Sequence, residues 1–252
     1  MKVFGSTHIL LFLSTVAFLV FSMWAVSKMN RVCRNIAFVF AAFICAGGIF
    51  FRYGLNFSFT GEIYWQTLAV QLLQVCNFNF ILVILMLVPK FELARQYSIM
   101  FSMFAASTTL VSVPSDWATR AWNDPYVLNS WLNHTFAIAL PLWMLAARRL
   151  KPRRDYVWKV TVCVIVYFTT VTAIIPILRE NGIISPTKSF SFTHSPEGIG
   201  VLEWLYRLIP FPCAYLLPLV PIMVGFFLLL AKIFKHYHTE PFGKNSTAKK
   251  RS

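Results

Sequence analysis

The sequence predicts an all-α, polytopic membrane protein with seven transmembrane helices, its N-terminus outside or lumenal and its C-terminus cytosolic. Three observations carry that prediction. Of 252 residues, 58% are hydrophobic and only 13% charged, about half the charge of a soluble domain. Aromatic residues reach 17%, including 25 Phe and 8 Trp, and the mean hydropathy is +0.63. The few charges divide the chain into seven uncharged windows, 3–27, 35–51, 63–89, 96–115, 125–147, 160–178 and 208–231. Each is at least 17 residues long, and a spanning helix needs about 20, with a range of roughly 17–25. None alternates as barrel strands of about 10 residues do, and only helices or closed barrels satisfy their backbones in hydrocarbon. The chain is therefore expected to comprise a seven-helix transmembrane domain over residues 1–231 and a basic cytosolic tail over 232–252.

Basic residues set the orientation. The N-terminus and the second, fourth and sixth loops carry Lys2, Arg52, Arg120, Arg179, Lys188 and Arg207, balanced by Glu62, Asp116, Asp124, Glu180, Glu197 and Glu203. The opposite side holds the other 17 of 23 Lys and Arg, and so the whole net charge of +14. That excess belongs on the cytosolic face, beside anionic lipid, and it needs no nucleic acid. Trp65, Trp117, Trp122, Trp131 and Trp204 at one set of helix ends, with Trp24, Trp143 and Trp158 at the other, fit interfacial belts.

The first window is expected to stay as a span. It resembles a signal peptide ending at Ala25-Val26-Ser27, but cleavage there would invert the loops and put 17 basic residues outside. The second window is the shortest. The third carries the polar run Gln71-Leu72-Leu73-Gln74-Val75-Cys76-Asn77-Phe78-Asn79, and the fourth is the most polar, with Ser107, Thr108, Thr109 and Ser112. The fifth reads Asn129-Ser130-Trp131-Leu132-Asn133-His134-Thr135 ahead of Pro141. In the seventh, Pro210, Pro212, Pro218 and Pro221 must bend or interrupt the helix. The segment 179–207, rich in Ser, Thr, Pro and Phe, is expected to pack over the helices without a core of its own.

None of the five cysteines, Cys33, Cys45, Cys76, Cys163 and Cys213, lies in a lumenal loop, so no disulfide framework is implied. Cys33, at a basic edge, is a weak palmitoylation candidate. Asn56-Phe57-Ser58 is a lumenal glycosylation sequon, whereas Asn133-His134-Thr135 lies in a span and Asn245-Ser246-Thr247 is cytosolic. Lys249 and Lys250 resemble the dilysine address of endoplasmic reticulum membrane proteins, read by coat-complex recognition. His236, His238 and Glu240 are too loosely grouped for a metal site, and no cofactor is expected.

Polar groups in mid-membrane point to function. The third window is centred on Cys76 and the fifth two residues from His134, so at 1.5 Å per residue the two differ in depth by about 3 Å. A thiol becomes a nucleophile when an imidazole takes its proton. Amide groups of Asn77, Asn79, Asn133 or Gln74 suit a developing oxyanion; Asn79, three residues after Cys76, shares its face. Ser130, four residues before His134, is a candidate to orient the ring. Against this stand ordinary packing roles, since Asn and Gln in spans are often interhelical glue.

Residues 66–145 resemble the transmembrane protein 164 family, the eukaryotic branch of the YwaF-type integral membrane proteins. The likeness rests on Leu72-Leu73-Gln74-Val75-Cys76-Asn77-Phe78-Asn79, on Asn133-His134-Thr135-Phe136 and on Leu208-Ile209-Pro210-Phe211-Pro212. It implies an acyltransferase acting on membrane phospholipids as acyl donor and acceptor, which loads a fatty acyl chain onto lyso-ether phosphatidylethanolamine. On that model Cys76 carries the acyl group as a thioester and His134 activates first the thiol and then the acceptor hydroxyl. No carboxylate is placed in the sequence to orient His134.

Two other classes compete. A transporter or channel for a small or lipid-like molecule would use the broken seventh helix, yet no inverted repeat or mid-membrane charge appears. A seven-helix receptor would carry Asp-Arg-Tyr after the third span and Asn-Pro-x-x-Tyr in the seventh, and neither is present.

Overall fold

A computed structural model describes residues 5–60, 70–112, 120–185, 190–196 and 199–239, with side chains omitted over 52–60. Among these, the secondary structure is helical throughout, with no strand. Trp65, Trp117, Glu62, Asp116, Lys188, Glu197 and the tail carrying Glu240, Asn245, Lys249 and Lys250 lie outside the described residues, as does the side chain of Asn56.

Helix α1 spans Ser6–Lys28 and α2 spans Arg31–Thr60. They are joined by two residues, with Met29 extended at φ −67° and ψ 150°. α2 runs on through Arg52, where the charge pattern alone placed a loop. α3 covers only Val75–Met86. α4 spans Glu92–Tyr97, a π-helical turn follows over Ser98–Ser102, and α5 continues over Met103–Ser112. α6 is Pro125–Ala146 and α7 is Val157–Glu180. α8 spans Gly200–Leu208, and α9 spans Leu219–Ile233.

Three of the described helical stretches are long and apolar enough to cross a membrane: Ser6–Lys28, Arg31–Phe51 and Arg154–Glu180. Val75–Met86 and Leu219–Ile233 are shorter apolar helices. The outer faces of α1 and α2 are apolar and exposed (Leu10, Leu13, Phe21, Val32, Ile36, Phe43), as lipid-facing surfaces are. The chain is a membrane protein.

Helix α6 is the hub. From Asn133 to Pro141 every residue is buried, and α1, α2, α3 and α5 pack around it. In lipid there is no hydrophobic drive between helices, so close packing and interhelical hydrogen bonds must hold them. Both devices are present. Trp131 donates its indole N–H to Thr15 Oγ1 at 2.9 Å, and Trp143 donates to Ser22 Oγ at 2.8 Å, lashing α6 to α1 at two levels. His8 Nε2 donates to the Leu110 carbonyl at 2.8 Å, tying α1 to α5. Each such bond contributes about 1 kcal/mol. Phe136 meets Phe18 of α1 and Phe40 of α2 edge-on.

Gly48 explains how closely α2 approaches α6. A Cβ at this position would lie 2.0–2.4 Å from the side-chain amide atoms of Asn133. Only glycine fits, and Asn129 of α6 donates to its carbonyl at 3.1 Å.

The third and seventh windows are not single helices. Residues 72–74 form a turn before α3, and 209–218 are irregular apart from a short 3-10 turn at Ala214–Leu216. The second break lies among the prolines that forbid a regular ladder. The first has no proline. It is held by residues 190–196, which fold back over the helices as the sequence suggested. Leu202, Leu205 and Tyr215 form a small apolar cluster beside this segment, packed with Phe192.

Candidate functional site

The site begins at the turn before α3. Gln74, its N-cap, is extended at φ −83° and ψ 121°, so the backbone groups around it need outside partners. Ser191 supplies them. Its hydroxyl accepts from Val75 N–H at 2.7 Å and donates to the Leu73 carbonyl at 2.7 Å. Its own N–H donates to Gln74 Oε1 at 2.6 Å. Tyr167 of α7 donates to the Leu73 carbonyl at 2.9 Å and stacks on Phe78 with ring centroids 4.8 Å apart. Ser191 adopts φ +53°, a left-handed conformation uncommon for a side-chain-bearing residue, which the three bonds hold in place.

Cys76 is thus the second residue of a helix whose start is pinned from outside. Its thiol is half-buried, and Sγ lies 3.9 Å from Thr109 Oγ1 on α5. Thr109 donates its hydroxyl proton to the Ala105 carbonyl at 3.1 Å, so in this contact the thiol donates. Cys76 lies in the first turn of α3, the end of a helix whose dipole favours negative charge.

His134 is 3% exposed on α6. Its Nδ1 is 2.7 Å from the Ser130 carbonyl oxygen. A carbonyl can only accept, so Nδ1 carries the proton, and in the neutral ring Nε2 carries the lone pair. Ser130 orients the ring, as its spacing suggested, and does so through its backbone oxygen. The imidazole packs edge-on against Phe80, centroids 5.2 Å apart and planes at 82°. Phe80 is one helical turn after Cys76. The helices bearing the thiol and the imidazole are therefore packed neighbours, joined at a contact one turn from the sulfur.

The amide candidates divide. Asn77 donates to the Gln71 carbonyl at 2.9 Å and to Gln71 Oε1 at 3.2 Å, and Gln74 accepts from Ser191; both brace the turn. Asn79 and Asn133 differ. Asn79 is 2% exposed, and its side-chain oxygen has no hydrogen-bond partner among the described residues. Asn133 is 1% exposed, with neither amide atom partnered, while its backbone carbonyl accepts from the Cys45 thiol at 3.7 Å. Buried amides left unsatisfied cost about 1–3 kcal/mol each and call for a functional or solvent explanation.

Ser191, Tyr167, Phe80 and Gly48 were not singled out by sequence, and Thr109 only as one of the polar residues of the fourth window. The pair Gly47-Gly48 was a usable signal, because small residues mark close helix contacts. Nothing distinguished Ser191 within a segment rich in serine.

The TMEM164 family model matches residues 3–231, a range that includes Cys76, His134, Ser191 and the broken helix before α9. Comparison with curated proteins and with solved structures returns no match. A match over nearly the whole chain fixes its kinship: the protein belongs to the TMEM164 family.

Proposed function

We propose that this membrane protein is a phospholipid acyltransferase with Cys76 as nucleophile and His134 as base. The observation that carries the proposal is the packing of His134, its Nδ1 proton committed to the Ser130 carbonyl, against Phe80 one turn from Cys76. A ring held in that tautomer has Nε2 as its basic nitrogen. The backbone carbonyl takes the part that a carboxylate plays in other nucleophile–base–orienter arrangements.

In the first half-reaction Sγ attacks the ester carbonyl of a donor phospholipid, and Nε2 takes the thiol proton. The tetrahedral oxyanion collapses, the C–O bond breaks, and the departing alkoxide receives the proton from the imidazolium. A lysophospholipid leaves and Cys76 holds the acyl group as a thioester. In the second, Nε2 takes the hydroxyl proton of a lyso-ether phosphatidylethanolamine, whose oxygen attacks the thioester. The C–S bond breaks and the thiolate recovers its proton. The α3 N-terminus suits the negative charge of each tetrahedral state. Asn79 suits a polar group of substrate: its carboxamide offers an acceptor as placed and a donor if turned over.

Seven spans, a lumenal N-terminus and a cytosolic C-terminus complete this reading, supported by the uncharged windows and the basic asymmetry. Residence in the endoplasmic reticulum is a companion proposal, tested by locating the Lys249→Ala, Lys250→Ala protein. The test of the chemistry is acyl exchange between phospholipids by purified wild-type, Cys76→Ser and His134→Ala protein; exchange undiminished in either variant refutes it.

The breaks at 72–74 and 209–218 favour a second reading, since interrupted helices line transporter sites. A transporter would move lipid or solute across vesicles without changing its covalent structure, and would do so in Cys76→Ser protein.

A further inference from the structure

Residues 190–193 form a tight turn. Thr193 closes it, donating both its N–H and its hydroxyl to the Phe190 carbonyl, at 3.1 Å and 2.9 Å. Both central residues are left-handed, Ser191 at φ +53° and Phe192 at φ +61°. Turns with two such residues ordinarily place Asn, Asp or Gly there. A serine followed by a bulky aromatic is strained in that conformation, which persists only where the surroundings over-determine it and which collects at functional sites.

Here the surroundings act from two directions. On one side lies the turn before α3. Ser191, fully buried, holds Leu73, Gln74 and Val75 through three hydrogen bonds, and Cys76 is the next residue. On the other side lies the proline-rich break before α9. Tyr215, fully buried on its 3-10 turn, donates its hydroxyl to the Phe192 carbonyl. Cys213, itself left-handed at φ +60°, donates its N–H to the Thr193 carbonyl at 2.6 Å. The rings divide in the same way. Phe190 packs with Val70, Val171 and Ile175, whereas Phe192 packs against Leu202, Leu205 and Tyr215. Lipid offers no water to an interrupted helix, and this one turn serves the interruptions of both the third and the seventh windows.

We propose that Tyr215 is a positioning residue for Cys76: its hydroxyl, through the Phe192 carbonyl, fixes the 190–193 turn and with it the backbone that carries the thiol. The bearing on acyl transfer rests on Cys76 being the nucleophile; the link between the two breaks does not. A hydrogen bond made at one break then protects amides at the other. Tyr215→Phe removes the hydroxyl and keeps the ring. Full-length wild-type and variant proteins in phosphatidylcholine nanodiscs are compared by hydrogen exchange, by peptide-resolved alkylation with N-ethylmaleimide, and by acyl-exchange kinetics. Expected in Tyr215→Phe is exchange about fivefold faster at residues 73–76, the effect of one net hydrogen bond, together with faster alkylation of Cys76. Cys163, a half-buried thiol on α7, and the amides of α6 should keep wild-type rates, which general destabilisation would not allow. Acyl exchange should fall in kcat at unchanged KM. Tyr237→Phe, which loses a hydroxyl bond to the Leu145 carbonyl at the C-terminal end of α6, should leave residues 73–76 and Cys76 as in wild type. If Tyr215→Phe does not fold, Phe192→Ala, which withdraws its ring from the same cluster, is read at the same amides. The proposal is overturned if residues 73–76 and Cys76 keep wild-type rates in the variant, if Tyr237→Phe shows the same changes, or if kcat is untouched. Wild-type protein that exchanges no acyl groups refutes the acyltransferase reading alone, and the amide and thiol rates then decide the positioning.

Discussion

His134 donates its Nδ1–H to the carbonyl oxygen of Ser130, 2.7 Å away and one turn back along the same helix. Because the acceptor is backbone, the orientation survives loss of the serine side chain. Ser130→Ala should keep acyl exchange within about threefold, whereas His134→Ala removes the base and should lower it by about 10²–10⁴, the usual size of general acid–base contributions. Rates on purified proteins matched for melting temperature separate the two.

Ser191 should matter to the site without touching substrate. Ser191→Ala leaves Val75 N–H and the Leu73 carbonyl without the hydroxyl that serves both. The expected loss is about 1–3 kcal/mol of stability, with faster amide hydrogen exchange at residues 73–76.

Gly48 and Asn133 form a sensitive pair. Gly48→Ala drives a methyl group to 2.0–2.4 Å from the Asn133 amide and should cost about 3 kcal/mol or more, at the severe end for single changes. Asn133→Ala should be near neutral for stability, because its amide has no hydrogen-bond partner to lose among the described residues. The double variant should be more stable than Gly48→Ala alone, a coupling that a double-mutant cycle measures. Lower activity in a stable Asn133→Ala protein would place that amide in the reaction.

Asp124 caps α6, accepting from Tyr126 N–H at 2.8 Å, with Arg120 at 3.2 Å. Desolvation is the largest single influence and raises its carboxyl, but the Tyr126 N–H and Arg120 together outweigh it and hold the carboxyl below its ordinary value. A depressed acid stabilises the fold above its unfolded-state range and loses that contribution as pH falls through its folded value. Asp124→Ala should therefore cost about 1 kcal/mol near neutral pH, and the gap from wild type should close on acidification. Melting curves of both proteins against pH test the sign.

The helices legible in the sequence were those whose uncharged windows coincide with one unbroken backbone ladder. α1, α6 and α7 lie close to the windows 3–27, 125–147 and 160–178. The proline-rich seventh window also declared its break. The third did not, because its interruption at 72–74 depends on Ser191 and Tyr167, more than 90 residues away in sequence. Local periodicity carries no trace of such a partner. The same holds for the π-helical turn at Ser98–Ser102, whose side chains are all buried, and which no residue pattern announced. Spacing alone placed Ser130 on the face of His134, but could not say that its carbonyl would do the orienting. It also could not sort Asn77 and Gln74, tied into the turn, from Asn79 and Asn133, whose amides lie buried with unmet hydrogen-bonding capacity.

The central claim is that the Cys76 sulfur carries an acyl group during turnover. Purified protein incubated with mixed phospholipids, then digested and weighed, tests it directly. The account predicts a fatty acyl mass on the peptide containing Cys76, released by neutral hydroxylamine, absent from Cys76→Ser and strongly reduced in His134→Ala. Acyl exchange proceeding with Cys76 unmodified, or continuing at full rate in Cys76→Ser, would contradict it.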